Sequence, residues 1–216
     1  MDSTPPRGDD SWQTKPTDRF VLKWIKVHLS APITLRLLAA KQIEPRRITL
    51  VSCGLGVLAG LIFALGAGWL AGILAACAQV LDGVDGQYAR ITGKQSKGGA
   101  FWDSVLDRYA DGAMVVGMVV YSIRLGLHFS PALLLAAGYM AITGANLISY
   151  STSRAENLGI DLGSPTLASK GTRTTAMILS GWGSFFWPPL PLLAILYLAL
   201  HTNLVVICRL RRGTVA

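Results

Sequence analysis

The chain reads as an all-α membrane protein: six transmembrane helices, preceded by an amphipathic helix lying in the interface. Three observations predict this. Of its 216 residues, 51% are hydrophobic and only 15% charged, well below the roughly 25% charged residues of an ordinary soluble domain. The apolar residues come in long blocks, most of them near the roughly 20 residues a helix needs to cross a bilayer core. The basic residues gather in alternate connections between those blocks.

Residues 1–17 are polar, with Pro, Asp and Gly, and are expected to be a disordered cytoplasmic tail. Asp18 is placed to cap a helix. Over residues 19–29, Arg19, Lys23 and Lys26 recur at i, i+4 and i+7, and apolar residues such as Phe20, Trp24 and Ile25 fill most of the remaining wheel. A narrow basic stripe on a broad apolar face suits a helix in the membrane interface, or one packed on a soluble partner. Ser30-Ala31-Pro32 is expected to break this helix and start another, because Pro is favoured in a first turn. Pro45 should end the second helix. Residues 18–44 therefore form a juxtamembrane unit and 45–216 a six-helix domain.

The spans are read at about 48–65, 69–88, 101–123, 131–151, 174–187 and 190–208. The first lies behind a charged segment and should be retained as an anchor rather than cleaved. Of the 20 Lys and Arg, only Arg124 falls in a connection assigned to the outside. The N-terminal region, the Lys94/Lys97 loop, the Arg154/Lys170 loop and the Arg209-Leu210-Arg211-Arg212 tail lie together on the other face, which makes both termini cytoplasmic. The net charge of +8 then reflects topology and attraction to anionic lipid or substrate. No basic stripe with interleaved aromatics lies outside the membrane anchor, so a nucleic-acid role is set aside. Cys53, Cys77 and Cys208 have no paired spacing and read as small apolar residues. Outer connections are short and inner ones long and polar, placing chemistry on the cytoplasmic side of a cell membrane.

The most informative stretch is DGVDGQYARITGKQSKGGAFWDSVLD, from Asp82 to Asp107. Ionisable residues at membrane depth are costly and rarely kept without a use. Asp82 and Asp85 are three apart near the end of the second span, and Asp103 and Asp107 four apart at the start of the third, so each pair shares a helix face. The polar segment 91–98, with Gly93, Gly98 and Gly99 close by, can turn the chain into an antiparallel hairpin that brings the pairs to one depth. Four carboxylates so close need compensation. Hard divalent cations on oxygen ligands supply it, Mg²⁺ or Mn²⁺, and without His or Cys nearby zinc does not fit. Two such ions in one carboxylate cluster suit phosphoryl chemistry. Gly86 removes a side chain beside Asp85, letting a nucleoside or phosphate approach the backbone. Arg90, one turn on, can pair with a phosphate. Asp111 extends the 103–107 face and reads as an ion-pair partner or an orienting group.

Asp82-x2-Asp85-Gly86-x2-Ala89-Arg90-x8-Gly99-x3-Asp103-x3-Asp107 resembles, position by position, the signature of the CDP-alcohol phosphotransferase family. The six-span plan and the interfacial helix resemble that family too, over about residues 18–212. The resemblance implies a membrane transferase of phospholipid synthesis. It would move a substituted phosphate from a CDP-linked donor, CDP-diacylglycerol in most members, to an acceptor hydroxyl, releasing CMP. It implies two metal ions held by Asp82, Asp85, Asp103 and Asp107, with Asp107 also the general base. It implies donor contacts from Asp82, Gly86, Ala89, Arg90 and Gly99, and a homodimer. Arg46 stands where many members have Asn after the Pro.

Arg154, Lys170 and Arg173 lie between the fourth and fifth spans. They are read either as a pocket for an acceptor that already carries a phosphate or as ordinary inward-facing charge. The SRAE segment resembles members that use inositol phosphate, and glycerol phosphate is the other anionic acceptor such a pocket would suit. The run TDRFVLKWIKVHLSAPITLRLLA resembles the entry helix of di-myo-inositol-phosphate-phosphate synthases, whose donor is CDP-inositol. A rival class, an ion-coupled transporter, predicts carboxylates near the midplane in repeated halves. A silent scaffold would have no reason to keep four aspartates.

Overall fold

The computed structural model of the chain describes residues 12–14, 20–39, 43–127, 129–162 and 169–213, and every regular element among them is helical. Most of the expected tail, the Asp18 cap and Arg19 lie outside the described residues. The first helical stretch comprises α1 (Phe20–Ile25), a π-helical turn (Lys26–Ser30) and α2 (Ala31–Ala39). Six longer helices follow: α3 (Pro45–Ala64), α4 (Gly68–Ile91), α5 (Lys97–Arg124), α6 (Pro131–Leu158), α7 (Lys170–Gly183) and α8 (Leu190–Gly213). They fall where the six apolar spans were expected. Three of them, α3, α6 and α8, are by themselves long and apolar enough to cross a membrane.

The expected break at Ser30-Ala31-Pro32 is instead a continuous helix with a widened turn. Proline has no N–H to give, and the wider turn just before it lets the helix run on. The Ala31 N–H reaches five residues back to the Lys26 carbonyl. The basic stripe also differs from expectation: Lys23 is exposed, but Lys26 is only 7% exposed. Pro45 does not close a helix; it opens α3, with Glu44 in extended conformation before it.

Helix–helix contacts rest on small residues, as in membrane bundles where close backbone approach supplies the packing. A side chain at Gly60 of α3 would run into the Ala113 carbonyl of α5, and one at Gly117 of α5 into the backbone of Gly60. A Cβ at Gly181 of α7 would lie 2.8 Å from the Cα of Gly72 in α4. Gly144 of α6 abuts Thr202 of α8. The interior is closed by Phe63, Met118, Leu134, Met177 and Ile195, each under 2% exposed. Phe101, Phe185, Phe186 and Leu200 point outward.

The hairpin forms as expected at Thr92–Ser96. Gly93 takes a left-handed φ of 64°, which spares a Cβ clash. Ser96 caps α5, its Oγ accepting from the Gly99 N–H at 3.0 Å. Its two helices nevertheless do not lie side by side. α3 packs along both of them, tied to α4 by the Ser52 hydroxyl donating to the Ala78 carbonyl at 2.8 Å. α4 and α5 therefore diverge above their turn, and the acidic residues line the space between.

Candidate metal and donor site

The aspartates meet at the turn end of that space. Asp82, Asp103 and Asp107 each offer a carboxylate oxygen, all within 4.8 Å of one another. Asp85 lies on α4 one turn beyond Asp82, is 6% exposed, and lines a cleft of about 390 Å³ together with Asp103. Gly86, Ala89, Arg90 and Gly99 form other parts of the same cleft wall. Asp82 and Asp107 line a smaller adjoining cavity of about 40 Å³, and Thr49 of α3 borders both. Asp82, expected to share the donor contacts, thus faces the neighbouring cavity rather than the cleft.

The donor set fits a hard divalent cation. All candidate ligands are carboxylate oxygens, and Oδ2 of Asp85 is buried with no hydrogen-bond partner among the described residues. A buried, unsatisfied carboxylate oxygen is costly unless a cation meets it.

Lys170, the first residue of α7, enters this cluster from a helix that packs on α4. Its ammonium donates to Asp82 Oδ1 at 2.7 Å and to Asp107 Oδ1 at 2.6 Å. It precedes the apolar run of that helix. Sequence reasoning placed Lys170 with the acceptor cations and missed this bridge, because nothing local to residue 170 reveals a contact 63 and 88 positions away.

The other two candidate acceptor cations part company. Arg173 is buried and pairs with Asp111 at 3.6 Å, so Asp111 is an ion-pair partner, held by α7. Arg154 is exposed on α6 and lines none of the cavities described above. Arg108 approaches Asp107 at 3.5 Å and donates to the Ser149 hydroxyl of α6. Arg46 borders the cleft with Arg90 and Lys94, so three cationic side chains line it together with the carboxylates of Glu44, Asp85 and Asp103.

Arg90 is held from an unexpected quarter. Its Nε donates to the Trp12 carbonyl at 2.6 Å, and the neighbouring Gln87 donates to the Gln13 carbonyl at 2.9 Å. Trp12 is buried. These residues belong to the stretch expected to be disordered. A single Trp in a polar run was the signal available, and an isolated aromatic does not name its partner.

Comparison with known proteins accords with this geometry. The chain is 34% identical over 133 residues to the bifunctional IPC transferase and DIPP synthase of Thermococcus kodakarensis, covering 61% of this chain and 29% of that protein. It spans less than a third of the bifunctional relatives it matches. It is 32% identical over 144 residues to the archaetidylinositol phosphate synthase of Pyrococcus horikoshii, covering 66% of this chain and 71% of that protein. The phosphatidylinositol phosphate synthase PgsA1 of Mycobacterium tuberculosis shares its fold at 24% identity. Solved with CDP-DAG bound, it gives a TM-score of 0.72 over 85% of this chain and 92% of that one. Solved with manganese and citrate, it gives 0.73 over 85% and 88%. The sequence model of the CDP-alcohol phosphatidyltransferases matches residues 43–209, from the turn before α3 into α8 and across all four clustered aspartates, and the chain belongs to that family.

Proposed function

We propose that the protein is an integral-membrane transferase that moves a substituted phosphate from CDP-diacylglycerol to a hydroxyl of an inositol phosphate, releasing CMP. One observation carries the reading: a glycine-walled cleft lined by Arg46, Arg90 and Lys94 shares Asp103 with the aspartate cluster. The names of the Pyrococcus and Mycobacterium proteins support inositol phosphate over glycerol phosphate as acceptor.

In this reading the cytidine and diphosphate of the donor occupy the cleft, close to the backbone at Gly86, Ala89 and Gly99, with Arg90 on a phosphate. Mg²⁺ or Mn²⁺, two ions held by Asp82, Asp85, Asp103 and Asp107, would neutralise the diphosphate and the charge on the departing CMP. Asp107 accepts the proton of the attacking hydroxyl. The new bond joins that oxygen to the phosphorus bearing the diacylglycerol, and the bond to the CMP oxygen breaks. Lys170 and Arg173 form the acceptor side, and Arg154 extends it at the surface. Lys170 is the member already beside Asp107.

The six helices α3–α8 are read as six spans, with α1 and α2 at the interface. The basic residues named above support a topology with the termini and the site on the cytoplasmic face, and the family resemblance supports a homodimer. Transfer from CDP-inositol is the second reading, favoured by the match to the Thermococcus bifunctional protein.

The test is CMP release by purified protein in lipid. Labelled CDP-diacylglycerol and CDP-inositol are each offered with inositol phosphate, inositol, glycerol 3-phosphate and serine. Release is expected with CDP-diacylglycerol and inositol phosphate, only with Mg²⁺ or Mn²⁺ present, and Asp107→Asn should abolish it while the protein stays folded. Turnover in excess chelator, or normal turnover by that variant, would sink the mechanism.

A further inference from the structure

The turn of α4 that carries the donor-facing residues is also the anchor for the N-terminal segment. The side-chain amide of Gln87 is fully buried and well partnered. Its nitrogen donates to the Gln13 carbonyl and to the Lys26 carbonyl, each at 2.9 Å, and its oxygen accepts from the Thr34 hydroxyl at 2.7 Å. One residue between Gly86 and Ala89 therefore ties both the Trp12–Gln13 segment and the π-helical turn to the cleft helix. Such turns occur often at functional sites. Gly83, on the same helix, lets Ser30 sit against the backbone, where its hydroxyl donates to the Val80 carbonyl at 2.8 Å.

Arg90 is the second tie. Its Nε is taken by the Trp12 carbonyl. Its terminal nitrogens lie 3.4 and 3.9 Å from the position a Cβ would occupy on Gly86, so the guanidinium is laid across bare backbone in the cleft wall. An arginine side chain is rich in rotamers, and ordering it costs entropy. Fixing its Nε from outside the cleft orients the fork before a ligand arrives. Trp12, 9% exposed, keeps that carbonyl in place by burying its indole.

We infer that the Trp12–Gln13 segment is a positioning element for the donor: the Trp12 carbonyl holds Arg90 so that its fork meets the diphosphate of a CDP-linked substrate. The inference rests on the function proposed above. Trp12 and Gln13 act through Arg90 and touch no reacting atom.

The test uses the full chain in lipid nanodiscs with Mn²⁺, measuring CDP-diacylglycerol binding and the KM for donor and for inositol phosphate. Trp12→Ala should weaken donor binding and raise donor KM about three- to tenfold, the cost of immobilising one rotamer-rich side chain, with acceptor KM and kcat unchanged. Trp12→Phe should restore donor KM. In an Arg90→Lys background, which lacks Nε, Trp12→Ala should have no further effect. Equal donor binding by wild type and Trp12→Ala would overturn the inference and leave the proposed function standing. Tighter binding by Trp12→Ala would make the segment a block and also overturn it, as would losses shared by donor, acceptor and kcat or losses additive with Arg90→Lys. Wild-type protein that binds no CDP-diacylglycerol would overturn the proposed function and the inference with it.

Discussion

Lys170→Met removes an ammonium that bridges two of the clustered aspartates, and the geometry sets the scale of the effect. At 2.7 and 2.6 Å and an effective dielectric of about 20, each contact is worth about 6 kcal/mol of Coulomb attraction. Two carboxylate oxygens up to 4.8 Å apart repel by about 3 kcal/mol on the same footing. The lysine side chain is about a quarter exposed, and desolvation of its ammonium offsets much of the attraction, so the net loss should be about 3 kcal/mol, the scale of breaking a buried pair from one side. For a chain of this size that corresponds to a fall in Tm of roughly 6–12 °C. The assay is thermal unfolding of wild type and variant, once in chelator and once in Mn²⁺. The full deficit should show in chelator and shrink to less than half in Mn²⁺, because a divalent cation restores the missing positive charge. Mn²⁺ should also bind the variant more tightly, since it no longer competes with the ammonium for Asp82 and Asp107. Equal Tm in chelator would refute the claim that Lys170 neutralises the cluster. A deficit unchanged by Mn²⁺ would refute the claim that cation and ammonium share those oxygens.

Three other substitutions follow from the packing. Gly60→Val should abolish folding or lower Tm by more than 10 °C in a thermal scan, because its side chain would enter the α5 backbone at Ala113, a case of overpacking without room to yield. Gly86→Ala should fold with wild-type Tm, since its Cβ meets only the Arg90 guanidinium at 3.4 Å and beyond, yet raise donor KM several-fold by crowding that group. Arg173→Met should cost about 3 kcal/mol in denaturant unfolding by stranding the Asp111 carboxylate, and adding Asp111→Asn should recover more than half, a non-additivity that a double-mutant cycle reads directly.

Much of the site was legible because its chemistry is local. The spacings of Asp82, Asp85, Asp103 and Asp107 are multiples of a helical turn, and a glycine-rich polar run lies between the pairs, so faces and turn both follow from 3.6 residues per turn. The apolar blocks located the helices for the same reason. The splaying of α4 and α5 around α3 was not legible, because it depends on Gly56 meeting Ala110, and Gly60 meeting Gly117, across helices. A lone glycine in an apolar run carries no record of what it faces. Nor was the continuity through Pro32, since a proline preceded by a widened turn looks in sequence like a proline that ends a helix.

The residue types and gaps alone determined the all-helical class, the places of its six long helices and the oxygen-rich cluster, because helical periodicity and the cost of buried charge act within a few residues. Tertiary structure alone decided which cations serve that cluster. Lys170 bridges Asp82 and Asp107, Arg173 pairs with Asp111, Arg154 remains at the surface, and Trp12 holds Arg90. Charge attracts across space regardless of sequence separation, so the pairing of these groups was settled only when the helices had packed.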